Sequence, residues 1–235
     1  MNEPTLRSSH SDTARGGDTR NQLLEAATRL FALHGYDSVT TRQLAAEAGV
    51  NVAAIAYHFG GKQELYRAVL AEIVAETEPL FGPAVGAITN GVAAASGNKA
   101  TLARIAAMLV ANFIRGFIEY PAMRWRAALV LKEYSQPSDD FDILFKGRIE
   151  PLHMAVTRLA ASALGLDPED PRAAMRAHAV MGQIVVFGVA RVVLLRRLGW
   201  DDLTPDRVAT VIEVATDSVL ASLGLPRLNQ TEPSS

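Results

Sequence analysis

Residues 40–62 read TTRQLAAEAGVNVAAIAYHFGGK, and this stretch decides the fold of the N-terminal part of the chain. Thr40 and Gln43 have the T-x-x-Q spacing of a capping box, which predicts the start of a helix. Gly49 supplies the backbone freedom of a tight turn and ends that helix after less than two turns. Asn51 is a good cap for a second short helix. The stretch therefore predicts a helix-turn-helix.

The interior of this motif has the residue types that two steeply crossing helices need. Ala45 is small enough to let the helices approach at their crossing point. Apolar side chains on both helices would anchor them to the rest of the domain, and these are Leu44, Ala48, Val50 and Ile55. A short helix, a glycine and a second helix also occur in helical bundles that do not bind DNA, so both interpretations stay open on this spacing alone.

The outer face of the second helix is small or polar, as a helix lying in the major groove requires. Alanines let the backbone approach base edges and can meet a thymine methyl group, while amide, phenol and imidazole groups can bond to bases or phosphates. The candidate DNA-contacting residues are Thr40, Thr41, Arg42, Asn51, Val52, Ala53, Ala54, Tyr57, His58 and Lys62.

A first helix and a fourth helix should flank the motif. The first is expected from Asp18 to His34, with apolar positions at helical spacing and Gly35 as its stop. We expect a disordered tail over 1–17 and a DNA-binding domain over 18–64. The apolar face of the first helix comprises Leu23, Leu24, Ala27, Leu30 and Phe31.

The remaining chain reads as a larger helical domain over 65–224, with a second disordered tail over 225–235. Pro79, Pro83 and residues 90–98 predict a linker or loop, because proline interrupts helices. Pro151 should kink or split one of the later helices. The helices are expected at about 100–119, 121–135, 139–165, 171–198 and 205–223.

Composition limits the class of protein. The chain has 235 residues, 49% of them hydrophobic, and it contains no cysteine, which excludes disulfides and thiolate metal sites. Residues 1–20 lack the apolar segment of a secretory signal, and Gln183 and Arg191 interrupt the most apolar stretch, so we expect a cytoplasmic protein without a membrane span. Residues 1–70 carry as many acidic as basic side chains, so phosphate affinity must come from where the positive groups lie.

Residues 40–65, with the lead-in Phe31, Gly35, Tyr36 and Thr40, are similar to the DNA-binding domain of the TetR family. The resemblance implies an all-α fold: a three-helix domain with a helix-turn-helix, then a larger helical ligand-binding and dimerisation domain. It places Thr41, Arg42, Asn51, Tyr57, His58 and Lys62 at positions where the family contacts DNA. Ala56 stands where many members carry a phosphate-contacting tyrosine, which leaves that contact to Tyr57 or His58.

The resemblance also implies a function. It predicts a ligand-responsive homodimer that binds a palindromic DNA operator, represses transcription and is released by a small effector. The composition of the candidate pocket favours an apolar or aromatic effector, and the spacing of His153 and His178 disfavours a metal site, so we expect no metal and no cofactor. The candidate effector-binding residues are Phe113, Phe117, Trp125, Phe141, Phe145, His153, His178 and Met181. The candidate dimer-interface residues, which could equally be the core of one chain, are Gly182, Val185, Val189, Val193, Ile212, Ala215 and Val219.

Two other classes of protein are alternatives to this interpretation. An enzyme is disfavoured, because the sequence has no dinucleotide-binding glycine motif, no nucleophile elbow and no zinc motif. Gly60, Gly61 and Lys62 resemble a phosphate loop only superficially, since Gln63 replaces the required serine or threonine. A helical adaptor that binds protein is the second alternative, and the neutral charge of residues 1–70 is its best support.

Overall fold

The computed structural model describes residues 9–119 and 123–228, and it is helical with no strand in those ranges. The helices are α1 (Ser9–His34), α2 (Thr41–Ala48), α3 (Ala53–Phe59), α4 (Lys62–Ala95), α5 (Lys99–Glu119), α6 (Met123–Ser135), α7 (Phe141–Leu144), α8 (Glu150–Leu164), α9 (Pro171–Val189), α10 (Arg191–Leu198) and α11 (Pro205–Ser222), with a π-helical turn at Phe145–Ile149. The predicted all-α fold is confirmed.

The chain divides into two compact units. Unit 1 comprises 1–75 and 125–144, and unit 2 comprises 76–124 and 145–235. The sequence had suggested a division between 64 and 65. Unit 1 extends further because the first turns of α4 contact the later segment: Tyr66 donates a hydrogen bond to Glu133, and Arg67 pairs with Asp140. The functional boundary at 64 stays a prediction.

Unit 1 has a core of apolar side chains from α1 to α4. Leu23 and Phe31 of α1, Leu44 of α2 and Ile55 of α3 are almost completely buried, as are Leu65, Val69 and Leu70 of α4. Phe31, Tyr36 and Tyr66 form an aromatic cluster, with the Phe31 and Tyr66 rings edge to face at 4.9 Å between centroids. This packing joins the helix-turn-helix to α1 and α4 in one apolar core.

Unit 2 has a core rich in alanine, valine and leucine. The faces of α5, α8, α9 and α11 meet there, and the buried set includes Leu102, Leu109, Leu159, Ala177 and Val219. By length and hydropathy alone, Lys99–Ile118 of α5 could cross a membrane, and the bent pair α9–α10 passes the same test. Much of α5 instead contributes its apolar face to this core.

Several predicted boundaries are corrected. Helix α1 begins at Ser9 and not at Asp18, whose carboxylate accepts a bond from Gln22. No proline in residues 9–17 stops the helix from extending upstream; residues 1–8 of the predicted tail lie outside the described residues. At the other end, Leu225 is buried and its N–H bonds to the carbonyl of Leu220, so the predicted tail begins later. Residues 229–235 also lie outside the description.

The predicted loop in the middle of the chain is wrong over most of its length, since only residues 96–98 connect two helices. Helix α4 continues through Pro79 and Pro83 to Ala95. A proline inside a helix removes one backbone hydrogen bond at a cost of about 3 kcal/mol. Burial of Ile88 and Val92 in unit 2 stabilises the helix beyond the prolines and offsets that cost.

The later helices also differ from the sequence pattern. Pro151 is expected to kink or split its helix. The helical segment is irregular just before this residue: a π-helical turn precedes α8, and Pro151 lies in the first turn of α8. The predicted single helix over 171–198 breaks at Ala190, where α9 and α10 meet at 64°. The bend lets Leu194 and Leu195 pack against the core of unit 2.

Candidate nucleic-acid interface and effector cavity

The start of α2 is fixed by a complete capping box. The Thr40 hydroxyl accepts a bond from the backbone N–H of Gln43 at 3.3 Å, and the Gln43 side-chain carbonyl accepts one from the backbone N–H of Thr40 at 2.8 Å. These bonds satisfy N–H groups that have no partner within the helix. The Thr40 side chain therefore has a structural role, whatever it contributes to DNA.

The turn between the two short helices follows the predicted geometry. Gly49 adopts φ 69°, the left-handed region that favours glycine, and ends α2. Val50 then donates its N–H to the carbonyl of Ala45, which is buried at the helix crossing. The Asn51 side chain accepts the N–H of Ala53 at 2.9 Å and so begins α3.

The outer face of α3 is open to solvent. The Tyr57 side chain is 85% exposed, and Val52 and Ala53 are exposed beside it. Ala54 and His58 are partly buried, and the His58 ring contacts the Tyr57 ring edge to face. Ile55 points the other way into the core. The face thus combines small side chains with one large, accessible phenol, which suits insertion into a major groove.

Cationic and hydroxyl groups lie at the ends of this motif. Arg42 is exposed in the first turn of α2, where Thr41 is partly buried. Lys62 begins α4, and its ammonium group lies 4.1 Å from the centre of the Tyr36 ring. That cation–π contact restrains the lysine next to free N–H groups at a helix start, where an anion is favoured.

A buried polar network in unit 1 joins the first turns of α4 to residues 133–138. The carboxylate of Glu133, which is 2% exposed, accepts bonds from the Tyr66 hydroxyl and from both the N–H and the hydroxyl of Ser138. Burial and the bond to Glu133 raise the pKa of Tyr66. Tyr66 therefore remains a neutral hydrogen-bond donor at physiological pH.

Comparison with known proteins assigns the chain to a class of DNA-binding regulators. Residues 23–69 match the family model for bacterial regulatory proteins of the tetR family, and residues 103–225 match that for the C-terminal domain of the HTH-type transcriptional dual regulator CecR. The chain belongs to the TetR family of transcriptional regulators, with a C-terminal domain of the CecR type. This is a family of transcription regulators.

Three similar proteins each match most of the chain. CecR from Shigella flexneri is 28% identical over 216 residues, covering 92% of this chain and 93% of its own. AmtR from Mycobacterium smegmatis superposes with a TM-score of 0.54 at 25% identity, covering 96% of this chain and 91% of its own. AibR, solved with isovaleryl coenzyme A and operator DNA, has a TM-score of 0.59 at 14% identity, covering 86% and 97%, which shows a shared fold.

A small apolar cavity lies inside unit 2. Its lining contains no polar side chain, and it has room for about one water-sized sphere. Of the predicted effector-binding residues, Phe113 and Met181 line it, and Phe117 lies beside Phe113 with 6.3 Å between ring centres. The remaining lining residues were not predicted as effector contacts from the sequence, and these are Leu109, Leu152, Val156, Ile184 and Val185.

The other predicted effector residues lie elsewhere. Trp125 and Phe141 belong to unit 1. Phe145 is exposed, and the rings of His153 and His178 contact each other with 5.8 Å between their centres. In residues 9–119 and 123–228, no group of three or more metal-ligating side chains is close enough to hold a metal ion.

A larger groove of about 630 Å³ lies within unit 1, and none of the predicted effector residues lines it. It is open and mostly polar, with Tyr36, Gln63, Lys132, Glu133 and Asp140 among its walls. An apolar effector would gain little there, because transfer from water is favoured by apolar surroundings. The cavity of unit 2 is the better candidate for such a ligand.

The predicted dimer residues divide between surface and interior. Gly182, Val189 and Val193 are exposed, whereas Ile212 is half-buried against the core and Val185 lines the cavity. Ala215 and Val219 are buried in unit 2, so their assignment to an interface is corrected: they have no surface to offer a second chain. The exposed apolar residue of α11 is Val214.

An exposed stripe on α9 was only partly recognised from the sequence. Its members recur at alternating spacings of four and three, the pattern of two helices packed along a seam. This spacing was a signal that could have found them. The stripe comprises Met175, Ala179, Gly182, Val186 and Val189, and the exposed Val193 follows beyond the bend, in α10.

Proposed function

We propose that this protein is a cytoplasmic repressor that binds an inverted-repeat operator as a homodimer and leaves it when a small apolar or aromatic effector binds. The observation that carries the proposal is the capped α2–Gly49–α3 motif with its exposed face of small and polar residues. In a TetR-family chain, this face is the natural reader of a major groove.

The proposed dimer uses the exposed stripe of α9 together with the Val214 face of α11. These apolar side chains are exposed in one chain, and a two-fold axis would bury them against their copies. The matched variants Val186→Glu and Val186→Leu test this. We expect the glutamate to give a monomer in sedimentation equilibrium and to abolish tight operator binding, whereas the leucine leaves both intact.

Two α3 helices on a two-fold axis predict the form of the operator. Half-sites centred one helical turn of DNA apart, about 34–36 Å, or a multiple of it, would be read in major grooves on one side of the duplex. Selection of bound duplexes from a random pool at moderate salt, followed by sequencing, tests this. Enrichment of an inverted repeat supports the proposal, and no enrichment by folded protein overturns it.

Individual side chains can be tested on the selected duplex. Arg42→Ala is expected to weaken binding by about 1–3 kcal/mol if Arg42 contacts a base, and Lys62→Ala should lower the salt slope by about one if Lys62 contacts phosphate. Arg158→Ala, which removes an exposed arginine from α8 in unit 2, is the matched control. Unchanged affinity and slope in both test variants would contradict the proposed DNA face.

The adaptor alternative predicts a different dependence on salt. Binding to DNA releases counterions, so operator affinity must fall steeply as salt concentration rises. The near-neutral residues 1–70 make this a useful test, because charge placement and not net charge must supply the effect. Weak, salt-insensitive binding to duplexes of every sequence would favour the adaptor.

Release of the operator by an effector requires coupling between the effector-binding site and the DNA-binding site. AibR was solved with both a ligand and operator DNA, which supports the same pair of partners here. Coupling of this kind is typically about 1–3 kcal/mol. The sign of regulation needs a reporter assay, since CecR is described as a dual regulator. Repression of the reporter by the unliganded protein supports the proposal, whereas activation of the reporter would contradict the proposed role as a repressor.

A further inference from the structure

Unit 2 contains a largely buried cation next to its apolar core. Arg148 lies in the π-helical turn Phe145–Ile149, a backbone irregularity that often marks functional sites. Its side chain is only 12% exposed, and the guanidinium carbon lies 4.8 Å from the centre of the Phe81 ring. Burial lowers the pKa of Arg148, yet arginine stays charged at physiological pH.

The carboxylate that pairs with this arginine is held loosely. Glu78 Oε2 lies 3.3 Å from Arg148 Nη2, and the Glu78 side chain is 61% exposed. This pair is one long contact, whereas an arginine and a carboxylate can pair through two parallel bonds. Glu78 can therefore move into water at small cost when a better-placed anion arrives.

Aromatic rings connect this cation to the cavity. The Phe81 ring, which lies against Arg148, is 5.0 Å from the Phe113 ring between centroids. Phe113 in turn lines the apolar cavity with Met181 and Val156. A ligand bound along these side chains would have the Arg148 guanidinium at one end and only the apolar side chains of the cavity at the other.

We propose that the effector is an amphipathic carboxylate. Its carboxylate binds the Arg148 guanidinium in place of Glu78, and its hydrocarbon or aryl body lies along Phe81 and Phe113 and enters the cavity. The cavity enlarges by movement of Met181, a flexible side chain that repacks readily. This inference rests on the proposed effector-responsive function and specifies the chemistry of that effector.

The test compares ligands that differ only in their head group. Full-length protein is titrated by calorimetry with linear carboxylates from butanoate to dodecanoate, with 4-phenylbutanoate, and with the matching primary alcohols. The best carboxylate should bind about 10-fold or more tightly than its alcohol, because a bond to a charged group is worth more than a neutral one. Equal affinity, or no binding by any carboxylate, would overturn the inference.

Variants assign the head-group preference to Arg148. Arg148→Gln should remove the preference for carboxylate over alcohol, whereas the exposed-arginine control Arg158→Gln should keep it. Glu78→Gln should tighten carboxylate binding several-fold by removing the competing anion. Gly82→Ala should act in the same direction, since a β-carbon there would collide with the Glu78 carboxylate. Gains from these two variants cannot arise from misfolding, so they test the inference even if Arg148→Gln is unstable.

Operator binding in the same samples separates the two proposals. If the unliganded protein binds its selected duplex but no carboxylate binds or releases it, the effector chemistry is wrong and the regulator stands. If no duplex is selected while a carboxylate binds through Arg148, the site is real and the proposed function fails. Carboxylate binding that releases the duplex supports both.

Discussion

The two units are stabilised by different kinds of contact. In unit 1, a buried carboxylate, a phenol and a serine form a directional network, and a capping box fixes the start of α2. In unit 2, the cavity and its surroundings are apolar, and α5, α8, α9 and α11 meet through aliphatic side chains. Hydrogen bonds specify one geometry, whereas apolar packing tolerates rearrangement. The contrast suits the functions proposed above, with DNA bound by unit 1 and an effector bound by unit 2.

The chain carries its own probes for testing this contrast. Of its two tryptophans, Trp125 belongs to unit 1 and Trp200 to unit 2. Trp200→Phe leaves a fluorescence signal for unit 1, and Trp125→Phe leaves one for unit 2. Each prediction below is measured by urea unfolding in one or both backgrounds.

Removing the aromatic centre of unit 1 should have the largest effect. Phe31→Ala deletes a completely buried ring that contacts Tyr36 and Tyr66, and should lower the free energy of unfolding seen by Trp125 by about 3–5 kcal/mol. Leu33→Ala, at an exposed position on α1, is the control and should change little. An equal loss at Trp200 would show that the units unfold together.

Breaking the polar network should cost somewhat less. Glu133→Ala leaves the Tyr66 hydroxyl and the Ser138 groups without their acceptor, at a cost of about 2–3 kcal/mol in the Trp125 signal. Glu133→Gln keeps an acceptor and should retain most of the stability. If both variants unfold like the wild type, directional bonds do not distinguish unit 1.

Enlarging the cavity tests the adaptability of unit 2. Val156→Ala should destabilise the Trp200 signal by about 1–3 kcal/mol through lost packing, and the enlarged cavity should bind benzene more tightly. The same substitution at the exposed Val192 of α10, outside the proposed dimer surface, is the control for helix propensity. A variant that loses stability without gaining affinity for benzene would indicate that the core collapses around the deletion.

The capping box makes a smaller, local contribution. Thr40→Ala should lower the stability of unit 1 by about 1 kcal/mol, because the N–H of Gln43 loses its acceptor. Thr40→Ser keeps the hydroxyl and should restore most of the loss. No difference between alanine and serine would mean that the cap does not stabilise α2.

The smallest expected effect is a dependence on pH in unit 2. Burial, and then the neighbouring His178, lower the pKa of His153 below its usual 6.5. The unfolded chain therefore takes up this proton first, and stability should fall as pH drops below about 6.5. We expect the Trp200 transition to weaken between about pH 8 and about pH 5. His153→Asn should flatten that slope, and an unchanged slope would assign it to other groups.

The features that depend on interactions between residues close in sequence were predicted correctly. The capping box, the left-handed Gly49 and the Asn51 cap each act within a few residues, so their spacing in the sequence already contains the geometry. The candidate DNA face followed from the same spacing, since a residue's side of a short helix is set by its register. Its contacts with DNA stay a prediction.

Features that depend on distant contacts were not predictable in this way. Pro79 and Pro83 indicated a loop, and only burial of the helix beyond them explains why α4 continues. On α11, valines occur on both sides, so the pattern could not distinguish the buried Val219 from the exposed Val214. The site at Arg148 combines α4, α5 and the π-helical turn, which no spacing within one helix reveals.

In the helix-turn-helix, the residues that cap the helices differ from those that are exposed on the outer face, and this separation has a consequence for evolution. Thr40 and Asn51 use their side chains to cap helices, whereas Val52, Ala53 and Tyr57 project into solvent. Exposed substitutions of this kind usually change stability by less than about 0.5 kcal/mol. A duplicated gene could therefore acquire a new target sequence through these three positions, one substitution at a time, without passing through an unfolded ancestor.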